Sequence, residues 1–468
     1  MSDALRAEGP FDPGAAAAEP APTAAAAGHA APRRHLDVRH AMSVCVGMVI
    51  GAGIFRTSPY VAANVGAAGT LFAAWALGGV LSVLGALCFA EMAAAFPHTG
   101  GDYSFLSRAY GRKVGLLFAW SRFSVIHTGS MALLAFVFGD YLSQLVQFGP
   151  WASPVFGLAA VVVLIAFNLR GIRIGVTSQL IFMSVVLLGL SSVFLGGIWQ
   201  AWYGAAPLTD FHASAAPAAG KSFGTAMVFV LLAYGGWSDA ATLSAEMRDQ
   251  RRGIVLALVG GMSIVAALYV SVNWGYVRAL GLDGLANSKA PAADVMRLAF
   301  GRVGEIAIVA TVATAAISVM NALLIVGART TYSAARDLTG IDTLGQWDAQ
   351  RGTPPRAMLA MGGMAILLIG FGTLTRGGFS TMVDYLSPVY WFFLSLSAVA
   401  VIVLRRRHPE VHRPFRVPGY PLTPIIFFLS CLYLLYSSLA YVRVGALVGV
   451  GVLALGAALY GLLLARRS

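Results

Sequence analysis

Met48-Val49-Ile50-Gly51-Ala52-Gly53-Ile54-Phe55 lies inside an otherwise apolar helical stretch that runs from about Ala41 to Ala63. Two glycines one residue apart weaken a helix, each by ~1 kcal/mol relative to alanine. In hydrocarbon, unpaired main chain is worse still, so a break at mid-bilayer persists only where it lines a cavity or is buried in protein. The break frees N–H groups that suit an anion and carbonyls that suit a cation. The stretch therefore predicts half of a site for a zwitterion: the N–H groups of Gly51, Ala52, Gly53 and Ile54 at its anionic end, the carbonyls of Met48 to Ile50 at its cationic end. The competing reading is that Gly-x-Gly is a packing surface that lets two helices approach.

The rest of the chain supplies the membrane setting. It is 58% hydrophobic and 11% charged, where a soluble domain carries about 25% charged residues. Nearly charge-free windows of roughly 20 residues recur from end to end, each long enough to cross a bilayer. They predict an all-α membrane protein of about twelve transmembrane helices. The net charge of +12 does not point to nucleic acid, because the basic residues sit between spans. About 21 of them fall in short segments on one side and about eight on the other. That asymmetry puts both termini in the cytoplasm and the multi-pass chain in the inner, cytoplasmic membrane. Cys45, Cys88 and Cys431 all lie inside spans, with no metal-ligand or disulfide spacing, so no cofactor and no metal are expected. Residues 1–38, rich in Ala, Pro and Gly, read as a disordered cytoplasmic tail without the features of a signal peptide.

A second anomaly matches the first. Leu231-Leu232-Ala233-Tyr234-Gly235-Gly236-Trp237-Ser238-Asp239 puts two glycines and an aspartate in the middle of the sixth span. Glycine-interrupted helices at corresponding places in two halves are the sequence pointer to an inverted-repeat transporter with a midplane site. The expected architecture is a five-plus-five inverted repeat with helices 1 and 6 broken. Its core covers 39–404, divided as 39–200 and 221–404, and 405–468 add two more helices. The sixth span runs opposite to the first, so its outer half ends at the break with carbonyls exposed near Leu232, Ala233, Tyr234 and Gly235. Donors from one break and acceptors from both fit the shared backbone of α-amino acids. Ser130, Ala233 and Val319, small or apolar, favour a neutral side chain.

Other residues have two readings each. Tyr234 and Trp237 are packing aromatics, or Tyr234 joins the substrate site and Trp237 a gate. Glu91 and Glu246 are helix-end carboxylates, or Glu246 pairs with Arg108 or Arg112 when the inner side closes. Asp239 is an ionisable group inside a span, where such groups are costly and usually functional, or it lines an inner vestibule. His127 and Arg122 hold a structural hydrogen bond, or the histidine carries a proton. A membrane-embedded enzyme using His127, Asp239 or Glu91 is disfavoured, since no His-x-x-x-His or Gly-x-Ser-x-Gly pattern accompanies them. A non-transporting amino-acid sensor and a carrier of amines or polyamines remain alternatives.

Several stretches are similar to the amino acid–polyamine–organocation superfamily. Val49 to Phe55 resembles its first-helix motif, and Glu91 to Tyr103 the end of its second helix and the loop that follows. Trp120 to Leu142, with Gly129-Ser130-Met131-Ala132, resembles the third helix of the L-type amino acid transporter branch and its bacterial serine/threonine exchangers. Ala233 to Trp237 resembles the sixth-helix break and Glu246 its cytoplasmic end. Asn321, Arg329 and Arg336 keep the spacing of the eighth helix, and Arg413 to Pro421 resembles the loop after the tenth. The resemblance spans about residues 38 to 440. It implies alternating access and amino acid transport by exchange or ion-coupled symport, with protons as a possible second solute. It also implies carboxylate binding by Gly51 to Ile54 and amine binding by Leu232 to Gly235. Relatives often have a lysine on the fifth helix where this chain has Val186, a phenylalanine gate at Leu232, and Asn-Pro at Asp249-Gln250. No cysteine lies near Gln144 to Ser153, where animal relatives bond to a heavy chain. No disulfide-linked partner is therefore expected.

Overall fold

The computed structural model describes residues 38–97, 101–171, 176–204, 222–240, 253–337, 343–348, 353–375, 377–441 and 445–465. The N-terminal tail, Glu246 and Asp249-Gln250 lie outside the described residues. Among the described residues nine helices are long and apolar enough to cross a membrane, and the only β-type pairing is an isolated bridge between Asp348 and Thr353.

The first span is two helices, α1 (Val38–Val49) and α2 (Ile54–Asn64), followed by α3 (Ala68–Ala95) and a short α4 (Asp102–Tyr110). The third span is α5 (Arg112–Ser121), a π-helical turn at Arg122–Ile126, and α6 (His127–Leu142). Next come α7 (Ala152–Leu169), α8 (Val176–Tyr203) and α9 (Phe223–Ala233), which stops at the second glycine pair. The seventh span is α10 (Gly253–Val255), another π-helical turn and α11 (Gly261–Asn287). The chain closes with α12 (Pro291–Asp337), α13 (Pro355–Leu374), α14 (Phe379–Arg407), α15 (Leu422–Tyr441) and α16 (Gly445–Ala465). At Gly301 the backbone turns to φ 63°, separating a short leading segment from the long rod of α12. The apolar pattern alone starts this span at 303.

Lipid tails are as apolar as leucine, so helices in a bilayer associate through close packing at small residues. On Gly157 of α7 a Cβ would come within 2.6 Å of the Ala135 carbonyl of α6, and on Gly275 of α11 within 3.0 Å of the Val193 carbonyl of α8. These glycines hold helices together. Glu91 joins three parts of one face: Arg405 at the end of α14 grips it through both carboxylate oxygens at 2.7 and 2.5 Å, and the Val417 N–H donates to it at 2.7 Å. Arg405 also stacks 3.8 Å from the centre of the Tyr420 ring. We refer to this as the basic face, after Arg405, Arg406 and Arg407.

Candidate functional site

Both breaks exist, and they face each other. After Val49 the chain leaves the helix and resumes it at Ile54. Gly51 N–H donates back to the Val49 carbonyl at 2.7 Å, and the next main-chain donors with partners are Arg56 and Thr57, both to Gly53. Among the described residues the N–H groups of Ala52, Gly53, Ile54 and Phe55 have no main-chain acceptor, the four unpaired donors that open any helix. The donor set is thus one residue further along than the glycine pattern implies. On the other side, α9 ends at Ala233, and Gly236 has φ 102°, a conformation that favours glycine.

The hydroxyl of Tyr269, on α11, lies 3.1 Å from the carbonyl of Val49 and 3.3 Å from that of Ala233. These are the final residues of α1 and α9, so one donor ties the ends of both half-helices. No local pattern marks this tyrosine, because its partners lie 220 and 36 positions away.

The glycines of the first break are not packing glycines. A Cβ on Gly51 would sit 3.5 Å from a Val319 methyl, and one on Gly53 would sit 3.6 Å from Ala233 Cα. Both are ordinary contact distances, and Gly53 has a helical φ of −58°. Neither crowding nor backbone conformation therefore requires glycine there. Both instead border a cavity of about 150 Å³, which Ser130, Leu232, Ala233, Gly235 and Asp239 also line. That volume accommodates roughly ten water-sized molecules, the scale of a small organic solute. Further walls that the sequence reading did not single out come from Ser318, Phe379, Leu386 and Tyr390.

Other predicted residues stand back from the cavity. The side chains of Ile50, Ala52 and Ile54 are buried in the protein core, so only their main chain is placed to serve a solute. Tyr234 turns its ring toward Trp75 and Tyr269 and donates to the Trp75 carbonyl at 3.0 Å. Trp237 packs edge-on against Phe89, ring centres 5.0 Å apart, and against Phe427. Glu91 is occupied by the arginine clasp on the basic face. Val186 of α8, with Phe182 and Met183, borders an apolar space beside Ile50 and brings no ionisable group to the first break.

Polar chemistry instead enters from the third span. The π-helical turn at Arg122–Ile126 widens the helix just before His127 and Ser130 reach the cavity, and such bulges recur at functional sites. Arg122 forms an ion pair with Asp239 and donates through Nε to His127 Nε2 at 3.1 Å. Arginine only donates, so His127 Nε2 is an acceptor and the ring is neutral, with its proton on Nδ1. Toward the face away from the basic one, Arg56 of α2 pairs with Asp140 of α6 at 3.0 Å and lies over the rings of Tyr60 and Phe379.

An all-α chain of apolar spans, with a polar-tipped cavity where two broken helices meet, is built to pass a small solute through a membrane. The amino acid permease family profile matches residues 36–459, and the chain belongs to that family, within the amino acid–polyamine–organocation superfamily. It is a multi-pass transporter of amino acids and not an enzyme. It is 29% identical to the human (Homo sapiens) b(0,+)-type amino acid transporter 1, over 86% of this chain and 82% of the relative. It is 26% identical to the serine/threonine exchanger SteT of Bacillus subtilis, over 87% and 91%. The mouse (Mus musculus) large neutral amino acids transporter small subunit 2 is 28% identical, over 96% and 84%.

Proposed function

We propose that the chain carries neutral L-amino acids across the cytoplasmic membrane by alternating access, with twelve spans and both termini in the cytoplasm. Two inverted five-helix repeats, 39–200 and 221–404, form the transport core. The observation that carries this reading is the meeting of the two breaks in one cavity, with free N–H groups at Ala52 to Phe55 and helix-end carbonyls at both ends. The α-carboxylate lies on those donors and the α-ammonium on carbonyls near Ile50 and Leu232 to Gly235. Every α-amino acid has both groups, so selectivity falls to the side-chain walls. Ser130, Leu232, Val319 and Leu386 make them small or apolar. Asp239 is matched by Arg122, which leaves no uncompensated charge among the described residues of the cavity wall to select lysine or glutamate. Relatives named for serine/threonine and for large neutral amino acids support the same class.

The test is counterflow in proteoliposomes of the purified chain, competed by each of the twenty amino acids and by putrescine. Neutral amino acids should compete, while lysine, glutamate and putrescine should not. Competition by putrescine alone would favour an amine carrier, and binding without counterflow would favour a sensor. Cys45, Cys88 and Cys431 are all buried, so transport should need no disulfide-linked partner.

A further inference from the structure

The central cavity borders a smaller one of about 30 Å³, and His127, Ser238, Asp239 and Tyr390 line both. Phe118, Phe393 and Leu394 make part of its wall apolar, but Asp102, Arg122 and Asp239 give it polar groups, and a space of that size holds about two waters. Its wall on the side of the basic face is Asp102, the first residue of α4, in the connection between the second and third spans. Asp102 is 7% exposed, and its Oδ1 is buried with no hydrogen-bond partner among the described residues.

The charges around it nearly decide its state. Arg122 contributes one positive charge and Asp239 one negative, already joined. His127 accepts from Arg122 and is neutral; its Nδ1 is buried without a hydrogen-bond partner among the described residues, 2.9 Å from where a Cβ on Gly327 of α12 would sit. Ser238 and Tyr390 are uncharged. Among the described residues that line this space, an ionised Asp102 would add a charge that none offsets, whereas a carboxylic acid leaves that set neutral and provides a donor for water. Burial accordingly pushes the Asp102 carboxyl up to about 8, with Asp239 adding to the rise and Arg122 opposing it.

We propose that Asp102 is the proton-carrying residue of this permease, loaded through the central cavity and unloaded at the basic face when the wall beside α4 opens. The inference rests on the transport reading above. One proton is carried in two transfers: hydronium reaching the cavity gives a proton to the carboxylate and becomes water, and the carboxylic acid later gives that proton to water on the other side, which becomes hydronium. Bringing the carboxyl into bulk water restores its ordinary acidity, so release accompanies opening.

The test uses proteoliposomes of the full chain, a mixture of labelled L-alanine, L-serine, L-threonine and L-leucine, and a pH dye inside. With pH 6 outside and 8 inside, one proton per solute permits up to about 100-fold accumulation. Wild type should accumulate label well above the equilibrium ratio and acidify the interior when the mixture is added. Asp102→Asn should lose both while keeping counterflow at zero gradient, and Asp102→Glu should keep all three. Should Asp102→Asn fail to fold, a displaced pH midpoint of proton-driven uptake in Asp102→Glu supports the assignment, and an unmoved midpoint overturns it. Wild-type counterflow without acidification, or Asp102→Asn retaining proton-driven accumulation, also overturns it. Absence of wild-type counterflow would instead remove the transport reading.

Discussion

At the scale of single residues, Gly53 separates two meanings of glycine. A packing glycine tolerates no Cβ, yet one on Gly53 would meet only Ala233 Cα at 3.6 Å. Alanine should therefore fold normally and weaken binding modestly. Leucine should reach into the space beside the free N–H groups and remove binding of every amino acid alike, while thermal stability in detergent stays close to wild type. Retained affinity in Gly53→Leu would displace the carboxylate from this break. Asp102 carries a prediction of another kind. Its carboxyl titrates near 8 in the folded chain and near 3.8 otherwise, so the folded state holds the extra proton between those values. The stability it contributes is complete below about pH 4 and is lost as pH rises toward 8 and beyond. Melting temperature should thus fall from pH 6 to pH 9, and Asp102→Asn should flatten that slope.

At the scale of helices, the apolar pattern shows where a rod runs but not which rods touch. The structure sets α3 at Ala68–Ala95 and α7 at Ala152–Leu169, limits already legible from charge-free windows. The broken helices were legible too, since glycine pairs in an apolar run leave few alternatives. The π-helical turn at Arg122–Ile126 was not, because an extra residue in a turn leaves the composition unchanged. Nor was the Arg122–Asp239 pair, whose members are 117 positions apart. Contacts between helices do yield a prediction. Gly157 of α7 lies against the Ala135 carbonyl of α6, where a larger side chain forces the helices apart. Gly157→Leu should destabilise the protein by roughly 1–3 kcal/mol, seen as a lower melting temperature, with substrate affinity preserved in the folded fraction. An unchanged melting temperature would mean that this contact yields freely.

For the whole molecule, alternating access requires closures on both faces that are strong enough to hold and weak enough to release. The Glu91 clasp, with two arginine bonds and a main-chain donor, joins α3 to the end of α14 and is too fully satisfied to make a ready gate. The Arg56–Asp140 pair is different. It links the second half of the first broken helix to the third span, above a cavity that Thr57 and Phe379 border. The side chains of this pair are 11% and 21% exposed, and Ser153 also donates to Asp140 at 2.7 Å; taken at the value of a surface pair, about 1 kcal/mol, its loss is about a fivefold change in a two-state equilibrium. Asp140→Asn should therefore shift the population toward the form open on that face. A cysteine at Thr57 would report the shift, because Cys45, Cys88 and Cys431 are buried and leave little background. In the Thr57→Cys chain, adding Asp140→Asn should speed labelling by a membrane-impermeant thiol reagent by up to about fivefold. A saturating neutral amino acid should slow labelling again by closing both breaks around it. Equal labelling rates in the two variants would show that the Arg56–Asp140 pair does not hold that face closed.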